Sequence, residues 1–263
     1  MFRIIDLRYY LFVALMILSL GIPQVNSQTK GTPKSRQQDK PISAKQRQAI
    51  EKIVREYLIK NPDVVRDAMA AQQINESQQR LERIALNLKA HKSELYSDPK
   101  SPVAGNPNGD ITIVVFSDYY CGYCRKSVPG LESLLQTDKS LRIVYKEFPI
   151  LGPQSQMGAL AALAASRQGK YLSFHRELFA TEKIDNEVIK SISDRLGLNY
   201  PELQRAMADN TLNEAIGANQ RLASVLDIDG TPAYIIGEQV IPGAIDLESV
   251  KRIIAIERKK LAN

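Results

Sequence analysis

The hydrophobic pattern changes character several times along the chain. Leu11 to Ile22 is almost wholly apolar, behind a start flanked by Arg3 and Arg8. Residues 28–42 are then rich in Gln, Lys, Ser, Thr and Pro, a composition that predicts a disordered leader. From Ser43 the period becomes helical, with Ile50, Ile53, Val54, Tyr57 and Leu58 at spacings of three and four. Asn61-Pro62 ends that helix and opens another, expected from Asp63 to about Leu95. In it Ile74, Leu81, Leu88 and Leu95 recur every seven residues, with Ile84 between them. So narrow a seam suits a partner helix, and residues 43–96 are expected to form a self-associating arm. The alternative is an amphipathic helix folded onto the domain that follows.

Ser97 to Gly109 holds three prolines and two glycines, and residues 97–109 are read as a linker. The pattern after it is that of an α/β domain over 110–263. Ile111 to Phe116 is β-branched and apolar throughout, as in a strand buried on both faces. A helix follows to about Gln136, then a strand from Leu141 to Phe148. Residues 153–226 read as a helical insertion with breaks at Gly169, around Asp185 and at Asn199-Tyr200-Pro201. Ala233–Ile236 and Gln239–Ile241 flank Gly237-Glu238 as a tight hairpin. Asp246 is placed to cap a last helix.

The apolar stretch at the start is too short to span a bilayer comfortably, and Pro23 breaks it. Residues 1–27 therefore read as a signal peptide cleaved after Ser27, the alternative being an uncleaved anchor. Either way the body of the protein is expected in the periplasm or extracytoplasmic envelope, where disulfides persist. The net charge of +6 is spread along the chain without a basic and aromatic stripe, so no nucleic-acid partner is expected. His91 and His175 lie far from the two cysteines in sequence, so no metal site is expected and both read as surface or structural residues.

Those two cysteines carry the chemistry. Asp118-Tyr119-Tyr120-Cys121-Gly122-Tyr123-Cys124 follows a buried strand and opens a helix. A spacing of three brings both sulfurs to the first turn. The free N–H groups and positive end of the helix favour thiolate over thiol there. Cys121, at the helix start, is the expected attacking group in disulfide exchange, and Cys124, one turn in, the resolving thiol. A structural or metal-binding pair is the competing reading. Far downstream, Gly230-Thr231-Pro232-Ala233 precedes a strand. An X-Pro bond can be cis at modest cost, and the Thr231 backbone would then be free to bind an extended peptide.

Together Phe116-Ser117-Asp118-Tyr119-Tyr120-Cys121-Gly122-Tyr123-Cys124, Tyr145-Lys146-Glu147-Phe148-Pro149, Gly230 to Gly237 and Ile241-Pro242-Gly243-Ala244 resemble the DsbA-like branch of the thioredoxin superfamily. The resemblance covers about Asp110 to Leu261. It implies a thioredoxin fold with a helical insertion, preceded by the helical arm, and a cis peptide before Pro232. It also implies Cys121 and Cys124 as catalytic pair, with Gly122, Tyr123, Thr231 and Pro232 as substrate-binding positions. No cofactor is implied beyond the redox-active Cys121–Cys124 disulfide. Tyr57-Leu58-Ile59-Lys60-Asn61-Pro62-Asp63-Val64-Val65-Arg66-Asp67-Ala68-Met69 is similar to the start of suppressor-of-copper-sensitivity protein C and its exported relatives, in some of which the arm mediates oligomerisation.

The expected partners are exported proteins bearing thiols or disulfides, a membrane redox partner and further copies of the chain. The expected activity is disulfide isomerisation or reduction. The alternatives are a monomeric dithiol oxidase and, from another class, a Cu(I)-binding copper-tolerance protein. Two departures stand out. Many thioredoxin-fold enzymes hold a buried acid six residues before the first cysteine, where this chain has Val115, so Lys146 and Glu147 are the candidates for proton transfer. And Tyr123 offers no positive charge beside Cys124, which predicts a less oxidising pair than the most oxidising DsbA proteins.

Overall fold

The structure, a computed structural model, describes residues 41–262. The expected signal peptide, residues 1–27, and most of the expected leader, residues 28–42, lie outside the described residues. The chain divides into two compact units, the first ending at Pro62 and the second running from Asp63.

In the first unit, α1 (Ala44–Lys60) starts from a capping box in which Ser43 and Gln46 satisfy each other's backbone N–H groups. None of its residues is buried within the unit. Asn61 closes it by donating to the Tyr57 carbonyl.

In the second unit a five-stranded sheet has the order β1-β3-β2-β4-β5. β2 (Ile111–Ser117) lies at the centre, parallel to β3 (Leu141–Glu147) and antiparallel to β4 (Ala233–Ile236). β5 (Gln239–Pro242) forms one edge. The other edge is β1 (Val103–Gly105), antiparallel to β3. The segment 97–109, expected to be a linker, is thus partly sheet. Its prolines fall outside the three paired residues, so they cost no ladder hydrogen bonds.

Alternation along the strands sends side chains to two cores. Ile113 and Val115, with Ile143 and Tyr145, pack beneath α4 (Gly122–Thr137) and α10 (Leu247–Leu261) and against the insertion. Val114, Phe116, Val144 and Ile235 pack on the opposite side against α9 (Asn210–Val225). The insertion comprises α5 (Pro153–Ser166), α6 (Tyr171–Ala180), α7 (Asn186–Leu196), α8 (Tyr200–Met207) and α9. The breaks fall where the sequence placed them, with one more at Asp209, whose carboxylate caps α9.

The helical arm is the main departure. The second helix is α2 (Pro62–Ala90), followed after His91 by the short α3 (Lys92–Tyr96). Leu88 and Leu95 are buried in the second core, beside α9 and the sheet, and Ile84 packs on its margin. Ile74 and Leu81 remain exposed, at 60% and 63%. A seam uniform in sequence is therefore split. Its C-terminal half covers the sheet, because a face carrying Phe116 and Val144 must be shielded from water, and burying such side chains is the dominant stabilising effect.

Candidate active site

The site forms where β2 hands over to α4. Cys121 is the N-cap of α4, and its Sγ accepts the Cys124 backbone N–H at 3.3 Å. Both thiols are free and largely buried. The helix thus presents its unsatisfied donors to the first sulfur. Cys124 lies deeper, and burial pushes its thiol well above the ordinary cysteine range. Gly122 faces open space and Tyr123 is 64% exposed, so the front of the pair is open to a large partner.

The loop before β4 closes the site from the other side. The Thr231–Pro232 peptide is cis, and the Thr231 carbonyl oxygen accepts from Cys121 Sγ at 3.1 Å. Residues 110 apart in sequence therefore meet at the Cys121 sulfur. Behind them Tyr234 is buried in β4 with a hydroxyl that finds no partner.

Asp118 shapes the approach, a role not apparent from the sequence. Its buried carboxylate accepts from the N–H groups of Tyr120, Ile150 and Leu151 and from the Ser155 hydroxyl, at 2.7–2.9 Å. It thereby fastens the cysteine loop to the loop that follows β3. Exposed Tyr120, Ile150 and Leu151 make this rim apolar. The Tyr120 hydroxyl in turn accepts from the Ile184 N–H, which ties the rim to the insertion.

The two proton-transfer candidates part company. Consecutive strand residues point to opposite faces, so Lys146 and Glu147 cannot share a site. Lys146 is 1% exposed, and its ammonium donates to the Glu94 carbonyl, Ser101 Oγ and Asp98 Oδ2. It ties α3 to the turn before β1, away from the cysteine face, which corrects the sequence-based expectation for it.

Glu147 lies in a cluster of buried polar side chains on the cysteine face. Its Oε1 accepts from the Tyr119 hydroxyl at 2.9 Å and the Tyr171 hydroxyl at 2.7 Å, while Oε2 has no partner. Burial raises its carboxyl to about 8, against the lowering pull of the two hydroxyls. His175 Nδ1 lies 2.8 Å from the Tyr119 hydroxyl and is lowered by burial to about 3, hence neutral. His175 is thus a core residue. α5 approaches this cluster closely, because a Cβ on Gly158 would stand 3.1 Å from the Tyr119 ring. Nothing in the spacing of Tyr119, Glu147, Tyr171 and His175 announces that they meet.

Among the described residues no group of three or more His, Cys, Asp or Glu side chains could hold a metal ion, and no helix is long and apolar enough to cross a membrane.

The chain is similar to several known proteins. The chain is similar to a thioredoxin-like oxidoreductase from Silicibacter pomeroyi DSS-3, at 37% identity and TM-score 0.61, over 64% of this chain and 97% of that one. It is also similar to Proteus mirabilis ScsC in a compact conformation, at 25% identity and TM-score 0.63, over 82% of this chain and all of that one. A Na(+)/H(+) antiporter NhaA 3 of Salinispora tropica is 26% identical over 161 residues, 60% of this chain. The chain spans about a quarter of the length of the curated antiporters it matches. Residues 46–81 match the copper resistance protein ScsC N-terminal domain. Residues 112–255, more than half of the chain, match the DSBA-like thioredoxin domain, and the chain belongs to that family.

Proposed function

We propose that the chain is an exported thiol–disulfide oxidoreductase that reduces or rearranges disulfides in secreted proteins. The observation that carries this is the position of Cys121 Sγ. It sits at a helix N-cap and against the Thr231 carbonyl, with a buried second thiol one turn behind it.

In the reduced protein the Cys121 thiolate attacks one sulfur of a substrate disulfide. A Cys121–substrate bond forms, the substrate S–S bond breaks, and its other sulfur leaves as thiolate. Two exits follow. A different thiolate of the substrate can attack the substrate sulfur of the mixed disulfide, which forms a new substrate disulfide and releases the Cys121 thiolate. Alternatively Cys124 loses its proton and attacks Cys121 Sγ, which releases a reduced substrate and leaves the Cys121–Cys124 disulfide. Cys124 is held protonated by burial, so the second exit needs a proton acceptor. Glu147 is our candidate, since a carboxyl near 8 can both take and return a proton at neutral pH. The disulfide so formed must be reduced again, and a membrane redox partner is the proposed source of electrons.

The arm is proposed to join several copies. Its free apolar positions, Ile50, Ile53, Val54, Tyr57 and Ile74, lie within or beside the segment that matches the ScsC N-terminal domain. Several active sites around a shared space favour rearrangement over oxidation.

The test is recovery of activity from a scrambled-disulfide substrate by three proteins: residues 28–263, the same with Cys121→Ser, and a chain starting at Asp63. The reading expects activity from the first alone. Equal simple oxidation by the first and third, without rearrangement, would identify a monomer-competent oxidase. Stoichiometric Cu(I) binding without thiol exchange would identify a copper-binding protein.

A further inference from the structure

The second unit contains a groove of about 490 Å³ that the reaction just described does not use. One wall is α2, with Ser77, Arg80, Leu81 and Ile84. The opposite wall runs from Asp227 to Thr231 and on to Val240 and Pro242 of the terminal hairpin. Thr231 is also the residue whose carbonyl meets Cys121 Sγ. The groove therefore shares Thr231 with the cysteine site and runs along α2.

Three contacts hold that wall in place. Arg80 Nε donates to Asp227 Oδ2 at 2.8 Å, Asn87 Nδ2 donates to the Val225 carbonyl at 2.8 Å, and Leu88 is buried in the core. Asp227 follows the end of α9 with φ of +59°, a left-handed conformation that aspartate tolerates better than most residues. The same residue thus ends α9 and receives Arg80. Besides these polar contacts and the side chains of Ser77 and Asp229, the lining includes the apolar Leu81, Ile84, Ile228, Val240 and Pro242.

We infer that α2 forms one side of the substrate-binding groove, and that Leu81 and Ile84 take apolar side chains next to the substrate's reacting cysteine. This rests on the functional reading above. The occupant is an extended, unfolded segment of a substrate protein, because a chain joined to Cys121 lies beside Thr231, which also lines the groove. A second copy seated there would cover Thr231 and block the substrate. Apolar lining suits the segments that a misfolded protein exposes and a native one buries. On this view residues 77–84 set substrate preference.

The experiment uses residues 28–263 with Cys124→Ala, so that the mixed disulfide is trapped. Two probes are compared. One is a ten-residue peptide whose single cysteine, flanked by leucines, is joined to nitrothiobenzoate. The other is the small symmetrical disulfide of nitrothiobenzoate. In each, Cys121 bonds to one sulfur and a coloured thiolate leaves. Leu81→Asp is expected to lower the ratio of peptide rate to small-probe rate about tenfold, the size of one lost apolar contact. Leu81 is largely exposed, so folding does not depend on it. An unchanged ratio overturns the inference. As an independent readout, a benzoylphenylalanine in place of Leu81 is expected to crosslink the trapped peptide on illumination. Crosslinking only to a second copy overturns it. A parent protein that reacts with neither probe overturns the functional reading and this inference together. Reaction of both probes with an unchanged ratio sinks the inference alone.

Discussion

Cys121 Sγ and the carbonyl oxygen of Thr231 are 3.1 Å apart, while the Cys124 N–H points at the same sulfur from the helix side. The sulfur is therefore held between a loop and a helix start, and the second thiol is kept behind it. This asymmetry sets the surroundings of the two cysteines apart.

It sets the first prediction. Cys121 is expected to react with iodoacetamide at neutral pH at least about ten times faster than Cys124, because burial holds Cys124 as the thiol and the thiolate is the nucleophile. Peptide mass spectrometry after timed quenching measures both rates. Equal labelling would contradict the assignment of roles. Cys121→Ser is expected to abolish exchange, whereas Cys124→Ser should accumulate mixed disulfides visible on non-reducing gels.

Glu147 and His175 predict opposing effects of pH on stability. Glu147 keeps its proton up to about 8 in the fold but releases it near about 4.3 when unfolded. Between those values the native state binds more protons, so this group makes stability fall as pH rises. His175, lowered to about 3, stays neutral in the fold while the unfolded ring takes a proton below about 6.5. Its contribution is lost as pH falls through that window. Urea midpoints from pH 4 to 9 should show Glu147→Gln gaining on the parent up to about pH 8 and no further. If the two curves run parallel throughout, Glu147 does not titrate as described. If Glu147 moves the Cys124 proton, the same variant should also slow single-turnover reduction and alter its pH profile.

Asp118 predicts a large structural effect. Its carboxylate satisfies three backbone donors and one hydroxyl in a buried setting, so Asp118→Ala leaves four groups short of a partner. Each such group costs about 1 kcal/mol or more, and a loss of about 3 kcal/mol or more is expected in urea denaturation. Asp118→Asn, which keeps acceptor capacity at one oxygen, should lose less.

The split of the helical seam predicts where the chain can be shortened. A protein starting at Asp63 is expected to keep the fold of the second unit, whose core residues all lie beyond Pro62. One starting at Ser97 loses both Leu88 and Leu95 from the core. Removal of a single buried leucine side chain costs about 2–5 kcal/mol, so Leu88→Ala alone should be clearly destabilising and the longer truncation severely so. Calorimetry of the three proteins decides this. Equal melting temperatures would mean that α2 and α3 are not part of the fold.

Much of this protein could be read from local pattern. The apolar run Ile111–Phe116, the Gly237-Glu238 turn, the Asp246 cap and the Cys-x-x-Cys at a helix start each depend on neighbours in sequence, and each stands in the structure where the pattern put it. In the same way Thr231-Pro232 was singled out by its neighbours, and the fold brings it to Cys121. Other features depend on residues far apart and left no such trace. The seven-residue repeat through Ile74, Leu81, Leu88 and Leu95 looks uniform, and only the exposed face of the sheet decides that its second half is core. Lys146 and Glu147 look like a pair, and the pleat of β3 sends them to opposite sides. Glu147, Tyr119, Tyr171 and His175 meet because the insertion folds back over the strand ends, which no spacing encodes. Caps, turns and strand patterns are local, so the available chemistry and the elements that carry it are legible along the chain. Which face is buried, which polar groups share a cavity and which half of α2 belongs to the fold come from packing between segments distant along the chain, and these emerge only once the chain is folded.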